Sequence, residues 1–138
     1  KLYQALVWGV PQPPCGLIEQ PIGRHPQERK LMAVRPKGRE AKTTYKVLEA
    51  YGDRYAWLEL HLYTGRTHQI RVHLSWLGYP LVGDPLYKPR PNPWQLAGQA
   101  LHCAQLAFTH PRSGQRLEFE APAPEILQNI LRQLRESY

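Results

Sequence analysis

Cysteine is scarce in this chain: Cys15 and Cys103 stand 88 residues apart, with no Cys-x-x-Cys spacing. That excludes a disulfide framework or a zinc knuckle as the organising principle, and reduced, structural thiols are the expected state. Histidine is better represented, with six residues, but His68 and His73 are five apart, off the spacing that puts two metal ligands on one helix face. His102 and Cys103 are neighbours and would point to opposite sides of a strand. No metal is expected, and nothing places a base beside either thiol for nucleophilic chemistry. No apolar run approaches the ~18 residues of a membrane span, and no signal-peptide core opens the chain. A cytoplasmic setting without membrane contact is the default expectation.

What the chain does contain is cationic and turn-rich. Its 18 Lys and Arg outnumber 11 Asp and Glu, giving a net charge of +7, and 14 prolines and 10 glycines imply many turns and long loops. Forty-two per cent hydrophobic residues is a globular proportion. At 138 residues the chain is one domain's worth or less. It opens on Lys1-Leu2-Tyr3, without an initiator methionine and already in the pattern of a strand interior. A fragment or a processed chain is the expectation.

The charge is concentrated. Between Pro21 and Lys46 lie eight Lys or Arg residues (Arg24, Arg29, Lys30, Arg35, Lys37, Arg39, Lys42, Lys46) against Glu28 and Glu40, a local excess of six. Such a cluster on an arm or hairpin suits a polyanion such as RNA, and a solvated loop is the plainer alternative.

Hydrophobic patterning gives an α+β expectation: a mixed, mainly antiparallel sheet with a few helices. Leu2 to Gly9 reads as an opening strand, and Pro11 to Lys42 reads as loop. Thr43–Tyr51 and Tyr55–Tyr63 form a hairpin about Gly52-Asp53, with Trp57 on one face and Leu58, Leu60 and Leu62 on the other. A helix from about Thr67 to Leu77 has Thr67 as N-cap, Ile70, Leu74 and Leu77 as its stripe, and His68, Arg71 and Ser75 beside that stripe. Leu81-Val82 is a short strand, and Lys88 to Gly98 is irregular. Strands over Ala100–Phe108 and Arg116–Ala121 precede a closing helix with Pro124 in its first turn and Ile126, Leu127, Ile130, Leu131 and Leu134 as its stripe.

Two segments carry a family resemblance. Gly65-Arg66-Thr67-His68-Gln69-Ile70-Arg71-Val72-His73 and Pro80-Leu81-Val82-Gly83-Asp84-Pro85-Leu86-Tyr87 resemble the signature of the RluA-type pseudouridine synthases, which isomerise uridines in structured RNA. Lys1-Leu2-Tyr3 matches the family's Lys-x-Tyr, Ile22-Gly23-Arg24-His25-Pro26 its segment after the first strand, and Leu101-His102 with Phe108-Thr109-His110-Pro111 its later strand. The similarity runs nearly full length.

The resemblance implies the C-terminal part of a pseudouridine synthase catalytic domain, acting without a cofactor, as a monomer when whole. Its substrate would be structured RNA, ribosomal RNA of the large subunit foremost and tRNA second. Breaking a C1′–N1 bond and rejoining the base through C5 needs a carboxylate, a cation to hold it ionised, a slot for the extruded base and a basic surface for phosphates. By the resemblance Arg71 pairs with the nucleophilic aspartate, Tyr3 faces the base and Leu101 packs in the active site. Arg24, His25, Arg29, Lys30, Arg35, Lys37, Arg66 and His68 are expected to meet RNA. The family's Arg-Leu-Asp is absent from these residues, and Asp53 and Asp84 match other positions. Gly98 stands where relatives often carry a basic residue. The chain alone is therefore expected to be inactive. The alternatives are a non-catalytic RNA-binding module or pseudoenzyme, and an interaction domain for an acidic protein.

Overall fold

The computed structural model describes residues 1–138. Eight strands and two helices follow in the order β1 (Leu2–Trp8), β2 (Cys15–Glu19), β3 (Ile22–Arg24), β4 (Met32–Val34), β5 (Lys42–Tyr51), β6 (Tyr55–Leu62), α1 (Gln69–Leu77), β7 (Leu101–Thr109), β8 (Arg116–Glu120) and α2 (Glu125–Ser137). Six of the strands make one sheet in the order β2-β5-β6-β1-β7-β8, and β3 and β4 pair separately. Every pairing between named strands is antiparallel. Neither helix is long and apolar enough to cross a membrane.

The period-two alternation of the central strands decides the layering. Ala5, Val7, Ala56, Leu58 and Leu60 turn to the face that Ile70 and Leu74 of α1 cover. Leu6, Tyr55 and Trp57 turn to the other face, where Leu127, Ile130, Leu131 and Leu134 of α2 close the second core. Leu6, Leu58, Leu60 and Leu74 lose all solvent contact; each such burial stabilises the fold by about 2 kcal/mol. A fork from Arg135 to Glu49, 2.8 Å at its Nε arm, ties α2 to β5.

Several local expectations need correction. The stretch from Pro11 to Lys42 is not simply loop: β2 adds to the sheet beside β5, and β3 with β4 forms a small hairpin. These strands are three to five residues long and separated by segments rich in proline and charge, too short for an alternation to show in sequence. Thr67 does not cap α1. The N-cap is His68, in a left-handed conformation with φ 56° and no side-chain capping bond. Leu81 forms a single bridge to Val7 rather than a strand. Pro124 is the N-cap of α2 instead of lying in its first turn, and Ile126 faces solvent. Lys88 to Gly98 does lack strand and helix.

The β3–β4 hairpin sits against α1. Ile22, Ala41, Val72 and Tyr87 form a third, small apolar cluster, joined by Leu31, Met32 and Val34. The cationic segment is thereby fixed next to the helix that follows Gly65.

Candidate functional site

The turn from β6 into α1 is held by a buried polar network centred on Gln69. Its Oε1 accepts from the Thr64 hydroxyl (2.8 Å) and the Arg66 amide (3.0 Å), while its Nε2 donates to Lys42 O (3.0 Å) and Thr43 Oγ1 (2.9 Å). The Arg66 amide, in the turn before α1, is thus tied to the side chain of the first helical residue. His73, one turn further on, continues the chain: Nε2 donates to Gln20 O at 2.9 Å, which only accepts, so Nδ1 accepts from Thr43 Oγ1 at 2.8 Å. Burial holds the His73 imidazole below its ordinary pKa, against the opposing pull of the Gln20 carbonyl, and it is neutral at pH 7. Sequence reading missed this network. Its signal was two polar residues, Gln69 and His73, four apart on a helix whose neighbouring face is apolar.

Arg71 is 9% exposed and already partnered within the chain. Its Nε and Nη2 donate to Asp84 Oδ2 and Oδ1 at 2.9 and 2.7 Å, a two-pronged pairing that suits a planar guanidinium. The Asp84 bond keeps Arg71 above its ordinary pKa. Burial works against the Asp84 charge, but Arg71 and the amides of Leu86 and Tyr87 outweigh it and hold the carboxyl below the usual range. Arg71 also lies over the Tyr87 ring, 5.0 Å from its centroid. The expectation of an aspartate from outside the chain as the partner of Arg71 therefore needs amending. Asp84 takes two of its nitrogens, and only Nη1 has no partner within the chain.

Asp84 is brought to Arg71 by the turn at Gly83, whose φ is +80°. A Cβ there would stand 2.5 Å from Gly98 O. Left-handed strain and the clash together predict that Gly83→Ala destabilises the chain by about 2–3 kcal/mol. The loss is read as a lower midpoint in urea unfolding, and an unchanged midpoint would show that the turn yields freely.

Beside this pair is an open concavity of about 360 Å³, lined by Tyr3, Leu62, Arg66, His68, Gln69, Ile70, Arg71, Gln99 and Leu101. Tyr3 enters from β1, Leu101 from β7 and Arg71 from α1, so three chain segments distant in sequence converge on it. Burial, with Cys103 alongside, pushes the Tyr3 phenol up, and it stays protonated at neutral pH. No carboxylate lines the space. Asp84 is 3% exposed with both oxygens engaged, and Asp53 lies in the hairpin turn at the far end of β6, roughly 25 Å away at the rise of an extended strand.

The remaining expected RNA contacts fall in two groups. Arg66 and His68 line the concavity, and Arg66 Nε also donates to Glu40 O at 2.7 Å. Arg24, Arg35 and Lys37 surround a separate small notch on the β3–β4 hairpin with Gly23 and Gly38. Arg29 and Lys30 are exposed at the hairpin's connecting segment. The His25 Nδ1 accepts from the amides of Gln27 and Glu28, so that imidazole shapes the turn.

Residues 1–76 match the family model described as RNA pseudouridylate synthase, and the chain belongs to that family. Its relatives place it in the RluA-type branch. It is 57% identical over 136 residues to an uncharacterized RNA pseudouridine synthase of Chloroflexus aurantiacus, which covers 99% of this chain and 42% of that protein. It is 46% identical over 140 residues to the ribosomal large subunit pseudouridine synthase D of Nitrosomonas europaea, covering 96% of this chain and 40% of the relative. The solved structure of human RNA pseudouridylate synthase domain containing 1 superposes with a TM-score of 0.76 at 28% identity, over 98% of this chain and 65% of that one. The chain spans about two-fifths of the length of these curated relatives.

Proposed function

We propose that residues 1–138 are the C-terminal portion of a single pseudouridine synthase catalytic domain, which converts uridine to pseudouridine in large-subunit ribosomal RNA in the cytoplasm. The observation that carries this reading is the concavity itself: Tyr3, Arg71 and Leu101 share it, and its lining includes no carboxylate. In this proposal a uridine swung out of its stack enters beside Tyr3 and Leu101. An aspartate from the upstream segment attacks or stabilises C1′ as the C1′–N1 bond breaks, and Arg71 Nη1, free of Asp84, helps to hold that aspartate ionised. The released base turns, C5 bonds to C1′ as the aspartate leaves it as a free carboxylate, the C5 proton passes to solvent and N1 takes one up. Nothing is oxidised or reduced, so no cofactor enters. The exposed cations of the β3–β4 hairpin bind RNA phosphates, with affinity falling steeply as salt rises. The ribosomal substrate is supported by the similarity to the ribosomal large subunit pseudouridine synthases D of Haemophilus influenzae and Nitrosomonas europaea.

Tritium release from RNA carrying 5-labelled uridine tests the reading. The 138-residue chain should release none, and the same chain preceded by an upstream segment with Arg-Leu-Asp should release it. Release by the shorter chain would overturn the placement of the nucleophile. The cationic hairpin by itself also fits a non-catalytic RNA-binding protein. That second reading would hold if the full-length protein bound RNA, lacked Arg-Leu-Asp and formed no pseudouridine.

A further inference from the structure

We infer that His68 is a substrate-positioning residue: its imidazole, locked by Tyr87 with the proton on Nε2, donates that N–H to an acceptor oxygen of the nucleotide held in the concavity. The inference rests on the function proposed above and assigns one of its contacts to a defined atom.

The lock follows from counting hydrogens. Tyr87 is a buried residue, and its hydroxyl has one proton to give. It accepts from the Met32 amide at 2.9 Å and lies 2.7 Å from His68 Nδ1. If Nδ1 carried the proton and donated, the phenol's own hydrogen would be left without an acceptor in a buried place, at a cost of about 1–3 kcal/mol. The phenol therefore donates to Nδ1, and the imidazole proton resides on Nε2. Nε2 lies across the ring from this bond and has no partner within the chain, while the residue lines the concavity with Arg66 and Arg71. The His68 backbone adds an independent sign. A histidine held at φ 56° is strained relative to an ordinary helix start, and it makes no side-chain capping bond there. The same phenol binds Met32 of β4, so the docked hairpin and the orientation of His68 are set by one group.

The test uses the full-length protein with ¹⁵N-labelled histidine. The nitrogen shifts of His68 should report the proton on Nε2, and Tyr87→Phe should let the Nδ1–H form appear. His68→Phe should raise KM for RNA about tenfold with kcat little changed, the worth of one lost hydrogen bond. His68→Gln, whose amide N–H reaches a similar position, should recover most of the loss. Binding to RNA with methylphosphonates beside the target, or with 4-thiouridine at it, separates a phosphate oxygen from a uracil carbonyl: His68→Phe adds no further loss in whichever arm removes its acceptor. Wild-type KM in His68→Phe, or a proton found on Nδ1 in the unmodified protein, would overturn the inference. A wild-type protein forming no pseudouridine would instead remove the proposed reaction, with the nitrogen shifts and RNA affinities still readable.

Discussion

Replacing Arg71 by methionine should destabilise the chain by about 3–5 kcal/mol, because Asp84 would be left as a buried charge without its counter-ion. The pair is almost fully withdrawn from water, at 10% and 1% side-chain exposure, so solvent screening does little to soften the loss. Asp84 has nowhere to turn: its Oδ1 also receives the amides of Leu86 and Tyr87 at 2.9 and 3.2 Å. The sign of the pH dependence follows. A carboxylate held below its unfolded pKa gives stability that is complete above that unfolded value, about 3.9, and is lost as pH falls through the folded one. Unfolding free energy of the unmodified chain should therefore climb as pH rises through the acid range and level off above the unfolded value. In Arg71→Met the climb should flatten, since burial then opposes the charge with only the two amides to favour it. Urea unfolding at pH 3, 5 and 7 measures both effects, and equal slopes for the two proteins would mean that the pair is not what depresses Asp84. Arg71→Lys should recover only part of the loss, because an ammonium cannot present two parallel N–H groups.

Gln69→Glu is the second large effect, and it changes almost no volume. A carboxylate keeps the acceptor used by Thr64 and Arg66 but cannot donate to Lys42 O or Thr43 Oγ1. It would set a charge against a carbonyl inside a site only 3% exposed. About 3–5 kcal/mol should be lost, from two hydrogen bonds removed and a carboxylate taken out of water. Hydrogen exchange locates the damage: amides of the β6–α1 turn and the first turn of α1 should lose protection before those of α2. A uniform loss of protection would show that the network stabilises the whole sheet instead of fixing this turn.

Both substitutions act on contacts that sequence reading did not supply. The strand-turn-helix at Thr64 to Leu77 was legible, because the apolar run of β6 ends at Thr64-Gly65 and Ile70 and Leu74 recur at helical spacing. The hairpin of β5 and β6 was legible from the rough alternation of Thr43–Tyr51, the clearer alternation of Tyr55–Tyr63 and the turn at Gly52-Asp53 between them. The cap was misassigned. Thr67 has the composition of an N-cap, but α1 starts one residue later, at His68, which holds a left-handed conformation and makes no side-chain capping bond. The partner of Arg71 was missed because Asp84 is 13 residues away through a loop, and its Gly-Asp-Pro setting is equally the composition of an ordinary turn.

By itself the sequence determined the period of each long element, the two faces of the central strands, the surplus of cations between residues 21 and 46, and the family signature at Gly65–His73 and Pro80–Tyr87. These are local properties, fixed by which side chains recur at spacing two or 3.6 along one stretch of chain. Tertiary structure alone decided that Tyr3, Arg71 and Leu101 share a concavity, that Asp84 closes on Arg71, and that Tyr87 orients His68. Each of those is a meeting of groups on different elements, set by how the sheet orders its strands and where α1 lies across them. A hydrogen bond leaves no period in a sequence.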